Sequence, residues 1–226
     1  MLIKEPRKLS SKPHKRRMTH LYIEPYEVNA RLKSLGLTQS PLIDAVKQGE
    51  LQRRLGSVLD PKPSPGYAAW SRAVRALRED LLEIGGWHPE DSDGVPKVVN
   101  DRETIAIAVT SGDQNTGDAT SNEDPATKNP KGEATADAVK NNLPTLLDEL
   151  DTVAPITWFL LYNSRADGLF AELSCPREMA ANGYVSTWTE RIVLGKIDLG
   201  EDAVAAIPAQ PESSAPIDVT VIRRSS

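Results

Sequence analysis

Thr104-Ile105-Ala106-Ile107-Ala108-Val109-Thr110 is the run whose reading decides the fold class. It is short, apolar and rich in β-branched side chains, which suit a pleated surface and lose rotamer freedom in a helix. It therefore reads as a buried strand. The segment before it has a different period. Ser64-Pro65 opens a helix, with a hydroxyl able to cap free amides and a proline suited to the first helical position. Trp70, Val74, Leu77 and Leu81 recur at i, i+4, i+7 and i+11, one narrow stripe, and Gly85-Gly86 ends the helix. From Lys97 the helical period gives way to a strand-like one.

Toward the N-terminus the same reasoning yields two more helices. The first starts near Tyr26, carries Val28, Leu32 and Leu35 on one side, and stops at Gly36. The second opens at Ser40-Pro41 and turns Leu42, Ala45, Val46 and Leu55 inward. Asp60-Pro61-Lys62-Pro63 forces an extended connection between this helix and the next. Pro6 and Pro13 keep residues 1–20 from forming a helix, leaving an extended arm.

Toward the C-terminus, residues 111–132 (SGDQNTGDATSNEDPATKNPKG) have no periodic apolar positions and form a long loop. A helix over 135–150, interrupted at Pro144, precedes a hairpin. Its strands are 156–162 and 169–174, and its turn is the 163–168 cluster. Residues 188–199 make a further strand broken at Gly195, 200–216 a linker, and 217–222 a last strand. The expected organisation is thus an arm over 1–20, a helical unit of about three helices over 21–96, and an α+β unit over 97–226. That last unit holds a small, mostly antiparallel sheet with one or two helices. Segregated helices and hairpin-linked strands mark the α+β class rather than alternating βαβ units.

Of the 226 residues, 39% are hydrophobic, enough for a real core. No apolar run approaches the roughly 20 residues a bilayer span needs, and no hydrophobic stretch follows the N-terminal cations as a secretory signal requires. Cys175 is the single cysteine, so the chain has no intramolecular disulfide and no cysteine-based zinc site. These features predict a soluble, cytoplasmic protein with no membrane contact and no cofactor. The net charge of −5 is unevenly spread: residues 1–20 hold seven Lys/Arg against one acid, residues 90–151 fourteen acids against five bases. Such asymmetry marks an interaction tail.

Lys4, Arg7, Lys8, Lys12, Lys15, Arg16 and Arg17 of the arm can neutralise several phosphates or dock on an acidic protein surface. Arg72, Arg75 and Arg78 on the third helix either extend that surface or form solvated pairs such as Arg75–Glu79. In the long loop, Asp113 to Asp118 resembles half of a calcium loop. Its glycine is one place early, however, and position twelve is Asp124, so no metal is expected. The same loop reads as an anion cradle. Ser111, Gly112, Thr116, Gly117, Lys131 and Gly132 supply amides, hydroxyls and a cation, the more so if Gly132 leads into a helix N-terminus. Asp113 and Asp118 complete the candidate ligand set with Thr116 and Lys131. Its spacing is not that of a nucleotide phosphate loop.

Catalytic signatures are sparse. Cys175 before Pro176 reads as a buried thiol, and His88 as a turn residue after the third helix. Asp167 and Glu172 lack the lysine two places on that a metal-dependent nuclease needs, since Ser174 stands there. The expectation is a non-enzymatic interaction protein, an accessory subunit of an intracellular complex, with the arm on an anionic partner. That partner would be another protein or nucleic acid. The alternative is a ligand-binding or hydrolytic domain with its site in the 111–132 loop.

Overall fold

A computed structural model describes residues 19–91, 94–142 and 154–200. The arm cations, the distal part of the expected 135–150 helix, residues 201–216 of the linker and the 217–222 strand lie outside the described residues. Four helices are described: α1 (Pro25–Ser34), α2 (Gln39–Arg54), α3 (Ser64–Ile84) and α4 (Glu133–Lys140). Seven strands form one sheet: β1 (His20–Tyr22), β2 (Trp87–Glu90), β3 (Lys97–Asn100), β4 (Ile105–Ser111), β5 (Ile156–Arg165), β6 (Gly168–Met179) and β7 (Val185–Ile197). Their order is β1-β7-β6-β5-β4-β3-β2. The α+β class holds, but the sheet is larger and more mixed than expected: β1 pairs parallel with β7 and β4 with β5, while the other neighbours are antiparallel.

Strand alternation divides the core into two layers. Ile107, Val109, Trp158, Leu160, Tyr162, Ala171 and Leu173 pack with Val28, Leu32, Leu42, Val46, Leu77 and Leu81 of α1–α3. Ala108, Phe159 and Leu161, intervening residues of β4 and β5, pack with Val139 of α4 and with Val185 and Trp188 of β7. The helices and the sheet therefore share a core. No helix among the described residues is long and apolar enough to cross a membrane.

Several local expectations need correction. In α3 the inward side is Ala69, Ala73, Ala76, Leu77 and Leu81, with Trp70 and Val74 half-buried on its flank. The small side chains matter because α2 crosses closely. A Cβ built on Gly49 would stand 2.6 Å from the Ala69 carbonyl oxygen and 3.0 Å from Ala73 Cβ. Ser40 and Ser64 lie inside their helices and cap neither. The caps are Thr38 and Pro63, with no side-chain hydrogen bond, and the Ser40 hydroxyl donates to Asp44 instead. Leu55 is half exposed and not part of the inner side of α2. His88 sits in β2, opposite Val99, not in a turn.

The return strand of the hairpin runs on through Cys175-Pro176 to Met179. Register slips on both sides of Pro176 let the ladder pass a residue that has no N–H to offer. Gly195, expected to break β7, has φ 74° and lies at a register slip between Ala171 and Glu172, within a continuous strand.

Candidate functional site

The parallel pair β4 and β5 ends on one side of the sheet, at Ser111 and Arg165. Outside the carboxyl ends of such strands ligands commonly bind in open α/β sheets. Here that position holds a cavity of about 760 Å³. The first turns of α3 supply Pro65, Tyr67 and Trp70; β4 and β5 supply Thr110, Ser111, Gly112, Tyr162 and Asn163. The returning end of the long loop adds Lys128, Asn129 and Lys131, with Thr135 from α4. Arg53, in the last turn of α2, and Lys62, in the α2–α3 connection, complete the cationic lining.

Local hydrogen bonding explains how the loop brings its lysines here. The loop leaves β4 and doubles back: Gly112 bridges Thr127 antiparallel, the Asp113 N–H donates to the Ala126 carbonyl, and the Lys128 N–H donates to the Ser111 carbonyl at 2.9 Å. Asn163 Nδ2 donates to the Gly112 carbonyl at 2.7 Å, and the Gly112 N–H to the Tyr162 carbonyl at 2.9 Å. The floor of the cavity is thus knitted to both parallel strands. Trp70 Nε1 donates to the Val109 carbonyl at 3.0 Å and fixes the α3 wall to β4.

The electrostatics are one-sided. The described lining residues include Arg53, Lys62, Lys128 and Lys131 and not one carboxylate. Lys131 is half-buried, its Nζ donates to the Thr110 hydroxyl, and no salt bridge reaches it among the described residues. Burial pushes its pKa below the ordinary lysine value, because a desolvated ammonium is disfavoured. Arg53 differs. It forms a two-pronged pair with the buried Glu50 at 2.7 Å, and Arg54 donates to the same carboxylate at 2.9 Å. Burial alone would raise the Glu50 pKa; the hydrogen bonds from Arg53 and Arg54 outweigh it and hold the group below its usual value. Burial, with the Glu50 charge second, pushes the Tyr162 phenol up to about 12, so it is a neutral hydroxyl at neutral pH.

Of the predicted ligand set, the cavity gathers Lys131 and leaves Asp113, Thr116 and Asp118 outside its lining. Asp113 accepts from the Asn115 N–H and Asp118 from the Thr120 N–H, both Asx-turns. Thr116 is fully buried against Gly112, and its carbonyl accepts from Arg165. Asp124 accepts from Arg191 and Thr19. Among the described residues no group of three or more His, Cys, Asp or Glu is placed to hold a metal.

The loop tip is clamped by a buried pair. The Glu172 carboxylate accepts from Arg191 Nε at 3.0 Å, Arg191 Nη2 at 2.8 Å, the Ser174 hydroxyl at 2.6 Å and the Gly117 N–H at 2.8 Å. Gly117 is required there: its φ is 67°, and a Cβ would meet the Ala171 backbone at 2.9 Å. Glu172 is therefore fully engaged in holding the loop to the sheet, and Asp167 lies apart in the β5–β6 turn. Arg75 and Arg72 pair with Glu79 at 2.7 and 3.2 Å, and Arg78 with Asp91 at 2.7 Å and with the Glu90 and Lys97 carbonyls. Cys175 is buried, which pushes its thiol up to about 12.

Sequence reasoning missed Lys62, Tyr67, Lys128, Asn129, Tyr162 and Asn163. Lys128 carried a signal, since it stands three residues before Lys131 in the same polar loop. The rest converge only through topology. No protein-family model, curated protein or solved structure shows a match to this chain.

Proposed function

We propose that this protein binds a small anionic ligand in the cavity at the carboxyl ends of β4 and β5. One observation carries the reading: the described lining holds Lys62, Lys128 and Lys131, beside an Arg53 paired with Glu50, and no acid, in a chain whose net charge is −5. Such a concentration of one sign in a concave site focuses potential and draws in the opposite charge. The size falls within the range of small-molecule sites, roughly 300–1,000 Å³. Hydroxyls of Thr110, Ser111 and Thr135 add donors able to orient an oxyanion. The activity in this reading is binding.

The test is titration calorimetry of the full chain with pyrophosphate and with citrate, beside the Lys128→Met/Lys131→Met double variant. Saturable binding by the parent and at least tenfold weakening in the variant is the expected result. Failure of both anions to bind, or equal binding by the variant, would overturn it.

A second reading rests on the seven cations of the arm: contact with an anionic protein surface or nucleic acid, as part of a larger intracellular assembly. It differs in salt response, because exposed cations on phosphates lose affinity steeply as salt rises, whereas a walled site is far less sensitive.

A further inference from the structure

We infer that the anion is the phosphate of a nucleoside phosphate, an inference that rests on the anion-binding reading above and names its ligand class. The reason is the pair of aromatic rings, Tyr67 and Trp70, that lines the same cavity as the lysines. Tyr67, on the first turns of α3, lines the cavity and is 67% exposed. Its ring lies 5.6 Å from that of Trp70, at 47°, and Trp70 is pinned by its hydrogen bond to Val109. Tyr67 thus has an aromatic neighbour fixed to β4, and most of its own surface is open to a planar partner. Pro63 and Pro65 stiffen the chain just before it.

A bare phosphate or a small carboxylate has no use for these rings, and it would leave most of the cavity to water. A planar base uses the aromatic rings, and its phosphate the Lys128 and Lys131 ammoniums and the Thr110 and Ser111 hydroxyls that line the same cavity. Stacking is tolerant of base identity because every base has a π-face. The arrangement thus specifies ring plus phosphate and not a particular base. A free nucleotide and the phosphorylated end of a nucleic-acid strand share this chemistry.

The experiment titrates the full chain with ADP, pyrophosphate and adenosine, and with a short single-stranded oligonucleotide bearing a 5′-phosphate or a 5′-hydroxyl. ADP is expected to bind roughly tenfold more tightly than pyrophosphate, in line with one stacked base. Tyr67→Ala, a change at an exposed side chain that leaves the core untouched, is expected to erase that advantage, bringing the ratio of ADP to pyrophosphate affinity to about one. Tighter binding of the 5′-phosphorylated strand than of both ADP and the 5′-hydroxyl strand would assign the phosphate to a strand end; an ADP affinity above the difference between the affinities of the two strands would assign a free nucleotide. Equal affinity for ADP and pyrophosphate, or an ADP advantage that survives Tyr67→Ala, would overturn the inference while leaving an anion site in place. No binding by any phosphate would overturn both.

Discussion

At the scale of single residues, two cations in this protein have opposite assignments. Arg191 is 3% exposed and is matched by a fully buried carboxylate, so its role is to hold the loop tip. Burial lowers the Arg191 pKa, but the Glu172 hydrogen bonds and charge outweigh it and the net shift is upward. Removing one partner of a buried pair strands the other charge, which costs about 3–5 kcal/mol. Glu172→Ala is expected to lower stability by about that amount, read from the urea midpoint; a change under 1 kcal/mol would show the pair to be solvated. Lys131 is half-buried with a hydroxyl and no described acid, so its charge is left for a ligand. A bound anion raises the pKa that burial has lowered, so binding takes up a proton where the free lysine is already neutral. Affinity is expected to be full below the pKa of free Lys131 and to fall as pH rises through it, beginning below the ordinary 10.5. Lys131→Met should abolish that slope, which calorimetry across pH 7 to 10 would check.

At the scale of elements, the seam between α2 and α3 is set by what is absent from it. An exposed helical glycine replaced by alanine gains about 1 kcal/mol from propensity. At Gly49 the added methyl group would meet a backbone carbonyl and a side chain of α3 that cannot move without the helix. Overpacking of this kind costs about 1–3 kcal/mol and exceeds the gain. Gly49→Ala is therefore expected to destabilise, by up to about 2 kcal/mol net; a rise in thermal midpoint would mean the helices part freely. This seam also explains the corrected face of α3. Periodicity marked the large residues Trp70 and Val74, whereas the closest approach is made by alanines, which a stripe of bulky side chains does not reveal. Glu50 shows a pH effect at the same element. Its pKa is lowered in the folded state, so the stability it contributes is complete above its ordinary 4.5 and is lost as pH falls through the folded value.

At the scale of the whole molecule, the two polar segments singled out in the sequence have different standing. A connection that only joined β4 to α4 could be replaced by a short linker at little cost in closure entropy, and the sequence alone predicts that outcome. The structure reverses it: Thr116, Pro125 and Thr127 are buried, and Trp188 Nε1 donates to the Pro125 carbonyl at 2.8 Å, so the loop is the lid of the second core layer. Replacing 113–126 with a Gly/Ser linker is expected to lower the melting temperature by several degrees or more, whereas deleting residues 1–17 leaves it within a degree or two. The cut must stop there, because the Thr19 hydroxyl donates to the Trp188 carbonyl and β1 pairs with β7 from His20. A large loss from the arm deletion, or none from the loop replacement, would contradict this division. By itself the sequence determined the α+β class, α1–α3 to within a few residues, β4, the core of the hairpin and a polar loop containing Lys131, because these depend on periodicity, proline and glycine near in the chain. Only the tertiary structure decided the parallel pairs β1–β7 and β4–β5, the burial of Glu172 against Arg191, and the meeting of Lys62, Tyr67, Lys128 and Tyr162 around one cavity. Those contacts join residues on different elements, from 19 positions apart for Glu172 and Arg191 to 170 for His20 and Glu190, and their free energy comes from packing and charge in three dimensions, which no local pattern encodes.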